Sequence, residues 1–81
     1  MRVVLTRRAA RDLGSLPPRI QSVARKQFEV LAKNIRHPSL RAKKYLESED
    51  LWQGRVNRDY RFYFRIVGDE YRVQMIIPHP K

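Results

Sequence analysis

The chain has 81 residues, enough for a single domain over residues 1–81 with a small core, since a domain of this size buries only about 60% of its unfolded surface. Eighteen Lys and Arg against eight Asp and Glu give a formal net charge of +10, a self-repulsion that a polyanionic partner offsets: nucleic acid first, an acidic protein second, a membrane surface third. With no cysteine in the chain, disulfides, cysteine-based metal sites and thiol nucleophiles are excluded, and His37 and His79 stand too far apart in sequence to suggest a zinc site.

Arg2 to Leu5 is a short β-prone run, and Arg7 and Arg8 cut it off before it reaches the length of a signal peptide or membrane span. The cytoplasm is therefore the default location. Thr6 is placed to cap a first helix, although Arg7 and Arg8 put positive charge at its positive end. Ala9 (or Ala10), Leu13 and Leu16 give that helix a modest apolar stripe, which Gly14 and Pro17-Pro18 bring to an end. Pro18 then opens a second helix. Ile20, Val23, Ala24, Phe28, Leu31 and Ile35 recur at three- and four-residue steps opposite a polar side, which predicts about five amphipathic turns ending at His37-Pro38-Ser39.

Ser39 to Asp50 reads as a loop or short strand, with Arg41, Lys43 and Lys44 followed by a solvated acidic cluster at Glu47, Glu49 and Asp50. Leu51 to Val56 alternates as a strand, placing Trp52, Gly54 and Val56 on one side and Gln53, Arg55 and Asn57 on the other. After the turn Asn57-Arg58-Asp59, two more alternating runs flank Gly68-Asp69, a two-residue hairpin signal. Counting outward from Val67 opposite Glu70 pairs Ile66 with Tyr71, Phe64 with Val73, Phe62 with Met75 and Tyr60 with Ile77, all apolar or aromatic and so core. The other face then sets Arg65 opposite Arg72, Tyr63 opposite Gln74 and Arg61 opposite Ile76. Directly opposed like charges destabilise a sheet, and nothing acidic in the hairpin is expected to relieve Arg65 and Arg72, so this face calls for an anion. The predicted architecture is α+β: an N-terminal strand, a two-helix hairpin, then a three-stranded antiparallel sheet with both helices on one face.

Four segments in this order, LTRRAARDLGSL, a helix ending in HPS, LWQGRVNRDYRFYF with its YR pair, and the final IIPHPK, resemble the RelE/ParE superfamily of toxins from type II toxin–antitoxin systems. The resemblance covers nearly the whole chain. It implies a cognate antitoxin as partner and, for the RelE branch, a metal-independent endoribonuclease that cuts messenger RNA on the ribosome, with neither cofactor nor membrane involved. In that branch the RNA's own 2′-hydroxyl is the nucleophile, and the protein supplies charge on the phosphorane and a group that moves a proton. By position, Arg61 matches the family's middle-strand arginine, Arg55 stands at a lysine of the RelE branch, and Gln53 stands where another lysine is found. His79 resembles the histidine of the YafQ-like branch, and Lys81 falls near a C-terminal arginine. The resemblance thus implies Arg55, Arg61, His79 and Lys81 as catalytic residues. Lys43, Lys44, Gln53, Tyr63, Arg65 and Arg72 are the candidates for holding RNA, with Tyr63 positioned to stack on a base. The ParE branch shares the fold and inhibits DNA gyrase without cutting RNA. It stays open as the alternative, together with a non-catalytic RNA-binding module.

Overall fold

The computed structural model describes residues 1–80, so the expectation for Lys81 lies outside the described residues. Strand β1 (Arg2–Leu5) leads into helices α1 (Arg7–Ser15) and α2 (Pro18–Lys33), and a 3₁₀ turn (Pro38–Leu40) precedes strand β2 (Lys43–Leu46). A second 3₁₀ turn (Glu47–Glu49) is followed by β3 (Leu51–Arg55), β4 (Tyr60–Val67) and β5 (Glu70–Pro78). These strands form one sheet in the order β1-β5-β4-β3-β2, with β1 parallel to β5 and every other pair antiparallel. The α+β class matches the sequence reading. The sheet is wider than that reading, because the ambiguous stretch after Ser39 supplies an edge strand and the N-terminal strand joins at the opposite edge.

Thr6 caps α1 as its chemistry suggests, its hydroxyl oxygen accepting from the Ala9 amide at 3.1 Å. Helix α2 begins at Pro18 but stops at Lys33, short of the expected His37-Pro38-Ser39 boundary. Asn34 explains the early end. Its extended backbone leaves the helix, its side-chain oxygen accepts from the Arg36 amide at 3.0 Å, and its carbonyl accepts from the His37 amide at 3.0 Å. His37 in turn caps the following 3₁₀ turn, a structural role.

Both helices cover one face of the sheet. Ala9, Leu13, Ala24, Phe28 and Leu31 pack there against Phe62, Phe64, Tyr71, Val73 and Ile76. Phe62 lies across Gly54 so closely that a Cβ on Gly54 would sit 2.3 Å from the ring. Trp52 stacks on Phe64, with ring centroids 6.2 Å apart, as a core aromatic.

The hairpin register holds from Val67–Glu70 through Phe64–Val73 and then slips by one residue. Tyr63 pairs with Met75, Phe62 with Ile76, Arg61 with Ile77 and Tyr60 with Pro78. The expected partners Gln74, Met75, Ile76 and Ile77 are therefore each displaced. A one-residue slip exchanges the two faces: Ile76 becomes a core residue at 4% exposure, while Met75 and Ile77 move to the face away from the helices. The bulge at Gln74 is held by α1 and its cap. The Thr6 hydroxyl donates to the Gln74 carbonyl at 3.1 Å, and the Asp12 carboxylate accepts from the Ile76 amide at 3.0 Å.

Candidate functional site

On the face away from the helices, arginines oppose one another twice. Arg65 faces Arg72 as counted from the turn, but the expected lack of acidic relief is wrong. Arg65 reaches Glu49, with Nη2 3.2 Å from Oε1 and Nε donating to the Glu49 carbonyl at 3.1 Å. Arg72 lies 3.7 Å from Glu70, which also meets Arg2 at 3.5 Å. The acidic cluster after β2 thus serves as a counter-charge, and Glu70 reaches back along its own strand.

The second pair, Arg55 opposite Arg61, was not foreseen as a pair because it depends on the β3–β4 register. Neither residue forms an ion pair among the described residues. Arg61 is buried, at 9% exposure, and its Nη1 donates to the Asn57 carbonyl and to the Tyr60 carbonyl at 3.0 Å. Those carbonyls belong to the β3–β4 turn, which Asn57 organises by accepting from the Asp59 and Tyr60 amides. Among the described residues every hydrogen bond of Arg61 uses Nη1 and no buried side-chain polar atom lacks a partner, so these residues leave Nε and Nη2 open to solvent or ligand. The Arg61 pKa is lowered from its ordinary value, first by burial and then by the positive charges of Arg55 and Arg41.

Arg41 is a residue that sequence reasoning left without a role. It adopts a left-handed backbone, φ 46°, at the end of the 3₁₀ turn anchored by fully buried Leu40. Lys43 pairs with Gln53, so Arg41, two residues ahead of it, leads into β2 at the end of the sheet where Arg55 lies. The positive charge of Arg41 acts on Arg61 there, together with that of Arg55. The available signal was the i, i+2 spacing of Arg41 and Lys43, legible only once β2 is known to be a strand.

His79 follows β5, and its backbone amide donates to the Asp59 carbonyl at 2.8 Å, continuing the β4–β5 ladder. Two residues beyond Ile77, it shares the pleat side of Ile77 and of Ile77's partner Arg61. Arg55, Arg61 and His79 thus gather at one end of one face, while Arg65 and Arg72 lie toward the other end of the same strands. Gln53 sits between Lys43 and Tyr63 on this face.

Two further candidates have different surroundings from those expected. Tyr63 is buried at 4% exposure and packs edge-on against Tyr45, with ring centroids 4.9 Å apart; burial raises its phenol pKa. Tyr45, at 53% exposure, is the aromatic that solvent reaches on this face. Lys44 falls on the helix-covered side opposite Trp52, bonded to Asp50 at 2.6 Å and near Glu47 at 3.6 Å. Its pKa is raised, chiefly by the hydrogen bond to Asp50. No described helix is long and apolar enough to cross a membrane.

No protein-family model matches the sequence, and no curated protein matches it. Solved structures do match it along nearly its whole length. A YoeB/ParE toxin from Agrobacterium tumefaciens superposes with a TM-score of 0.80 at 15% identity, covering 99% of this chain and 100% of that one. A chain of the RelBE2 toxin–antitoxin complex from Mycobacterium tuberculosis gives a TM-score of 0.80 at 22% identity, covering 96% of each. A chain of the archaeal RelE–RelB complex from Pyrococcus horikoshii gives 0.79 at 18% identity, covering 95% of this chain and 92% of that one. The protein therefore has the fold of the RelE/ParE superfamily toxins.

Proposed function

We propose that this protein is the toxin of a type II toxin–antitoxin pair, acting in the cytoplasm as a ribosome-dependent endoribonuclease on messenger RNA and neutralised by a cognate antitoxin. The observation that carries the reading is the opposed, unneutralised pair Arg55–Arg61, with His79 on the same face one pleat away. A phosphodiester between the two guanidinia removes their mutual repulsion, and both charges then act on the phosphorane as it forms. Arg61 is preorganised for this task, because the turn carbonyls fix its Nη1 and leave Nη2 and Nε for phosphate oxygens.

The 2′-hydroxyl oxygen attacks phosphorus as its proton passes to solvent water, the bond to the 5′-oxygen breaks, and His79 donates a proton to that leaving oxygen. A cyclic phosphate and a new 5′-hydroxyl end result. Imidazole is the side chain most often used to move protons in catalysis. Lys43 and Gln53 flank the site on this face, Arg65 and Arg72 offer weaker contacts toward its other end, and Lys81 remains a candidate for further charge. Lys44 contributes less than the sequence suggests, since Asp50 and Glu47 neutralise it.

Primer extension on messages from cells expressing the chain tests the reading. Discrete new ends that vanish in Arg61→Ala and His79→Ala variants are expected. Variants that arrest growth and cut as the parent does would discard the site. Supercoiling defects without new RNA ends would replace the ribonuclease by a gyrase inhibitor.

A further inference from the structure

Beside Arg55, but on the helix side of the sheet's end, an open cavity of about 760 Å³ lies between α2, the 3₁₀ turn before β2 and the β3–β4 turn. Lys26, Arg41 and Arg55 are among the residues that line it, Arg55 with its backbone carbonyl turned toward α2, and no Asp or Glu lines it among the described residues. Val23, Val30 and Pro38 form an apolar wall. Its volume falls within the roughly 300–1,000 Å³ typical of small-ligand sites.

The cavity is built rather than incidental. Gln27, at 8% exposure, stands behind it as a buried clamp: its amide nitrogen donates to the Arg55 carbonyl at 2.8 Å and to the Ser39 carbonyl at 3.2 Å. One side chain of α2 thereby fixes both the strand end carrying Arg55 and the turn carrying Arg41. His37 accepts from the Ser39 amide through Nδ1 at 3.2 Å, which ties its ring to the turn that lines the cavity.

We infer that this cleft holds a second nucleotide of a single-stranded RNA, its phosphate against Lys26 and Arg41 and its sugar or base on the Val23, Val30 and Pro38 wall. The inference rests on the proposal that the chain takes RNA, and it extends the binding path around the sheet end onto α2. Arg55 is shared by the cleft and the Arg55–Arg61 pair, so a strand leaving that pair finds its next positive charge here. The concave apolar wall beside Lys26 and Arg41 suits a nucleotide better than a lone carboxylate, which uses the charges and leaves the wall empty.

The probe is a 2′-O-methyl RNA hexanucleotide, which lacks the attacking hydroxyl and cannot be cut, followed by fluorescence anisotropy over a series of salt concentrations. Lys26→Gln and Arg41→Asn, the latter keeping a residue that tolerates the left-handed backbone, are each expected to weaken binding about tenfold, the size of one charge-assisted contact. Each also lowers the slope of log affinity against log salt by roughly 0.7, the loss of one phosphate contact on a single strand. Arg25→Gln, on exposed α2 surface outside the cavity, leaves both unchanged. The cleft is wrong if the first two variants bind as the parent does, if the parent does not bind the hexanucleotide, or if only a glutamate-rich peptide binds through Lys26 and Arg41. Primer extension run alongside separates the two ideas. A parent that binds through the cleft yet makes no new ends discards the ribonuclease alone, whereas a cutting parent with unaffected variants discards the cleft alone.

Discussion

Arg65 and Arg72 oppose each other on β4 and β5, and Arg55 and Arg61 do so on β3 and β4, yet only the first pair is matched by carboxylates at Glu49 and Glu70. Geometry alone does not separate them, since both are directly opposed like charges on one face. What separates them is where the chain put its few acids. Eight Asp and Glu serve eighteen cations, and among the described residues none forms an ion pair with Arg41, Arg55 or Arg61, Asp59 acting on Arg61 only at longer range. On the proposed function, the pair left without an ion pair is the one that takes an external anion.

The largest test of this contrast is catalytic. Arg61→Gln is expected to slow cleavage of ribosome-bound message by about 10²–10³-fold, the usual loss when a preorganised charge donor is removed. Arg65→Gln should cost less than about tenfold, as its charge is already balanced by Glu49. Single-turnover cleavage rates measure both, and equal losses would erase the distinction between the pairs.

The scaffold beneath the unmatched pair should be the more sensitive to packing. Gly54 precedes Arg55, and Phe62 follows Arg61, with the Phe62 ring filling the space a side chain at 54 would need. Gly54→Ala is expected to cost about 1–3 kcal/mol through overpacking, read as a fall in melting temperature of roughly 4–8 °C per kcal/mol for a domain of this size. Gln27→Leu should cost about 1–3 kcal/mol by leaving the Ser39 and Arg55 carbonyls unpaired. Amide exchange should then accelerate around residues 39–41 and 55–57 while the Arg65–Arg72 end stays protected. Uniform acceleration would show that Gln27 supports the whole core rather than this end.

Much of the fold was legible because its causes are local. Thr6 capping, Pro18 opening α2, the alternation of β3 and the Gly68-Asp69 turn all act over a few residues, and the pairs Arg65–Arg72 through Phe64–Val73 follow by counting. The count failed at Gln74 because the partners that hold its bulge, Thr6 and Asp12, lie more than sixty positions away. Ile76, Met75 and Ile77 changed faces as a result. The same limit governed the site. Arg61 and His79 were found through resemblance to a family motif and fall on one face, whereas Arg41 emerged only with the β2–β3 register, and Glu49's counter-charge to Arg65 only with the tertiary fold.

The smallest expected effect is the most discriminating, because the two pairs should respond with opposite sign. Removing charge from the matched pair breaks a partly exposed ion pair, so Arg65→Gln should lower stability by about 0–1 kcal/mol. Removing charge from the unmatched pair ends a direct repulsion, so Arg55→Gln should raise stability by about 0.2–1 kcal/mol in the absence of RNA. Arg55 is the better choice than Arg61 here, since Arg61 also bonds the turn carbonyls and its loss would mix two effects. Both differences should shrink in roughly 1 M salt, where the screening length falls to about 3 Å. Denaturant melts of the two variants at low and high salt provide the measurement. If Arg55→Gln destabilises the free protein and added salt leaves that loss unchanged, then packing of the Arg55 side chain outweighs its repulsion from Arg61, and the unmatched pair is no longer evidence for a bound anion.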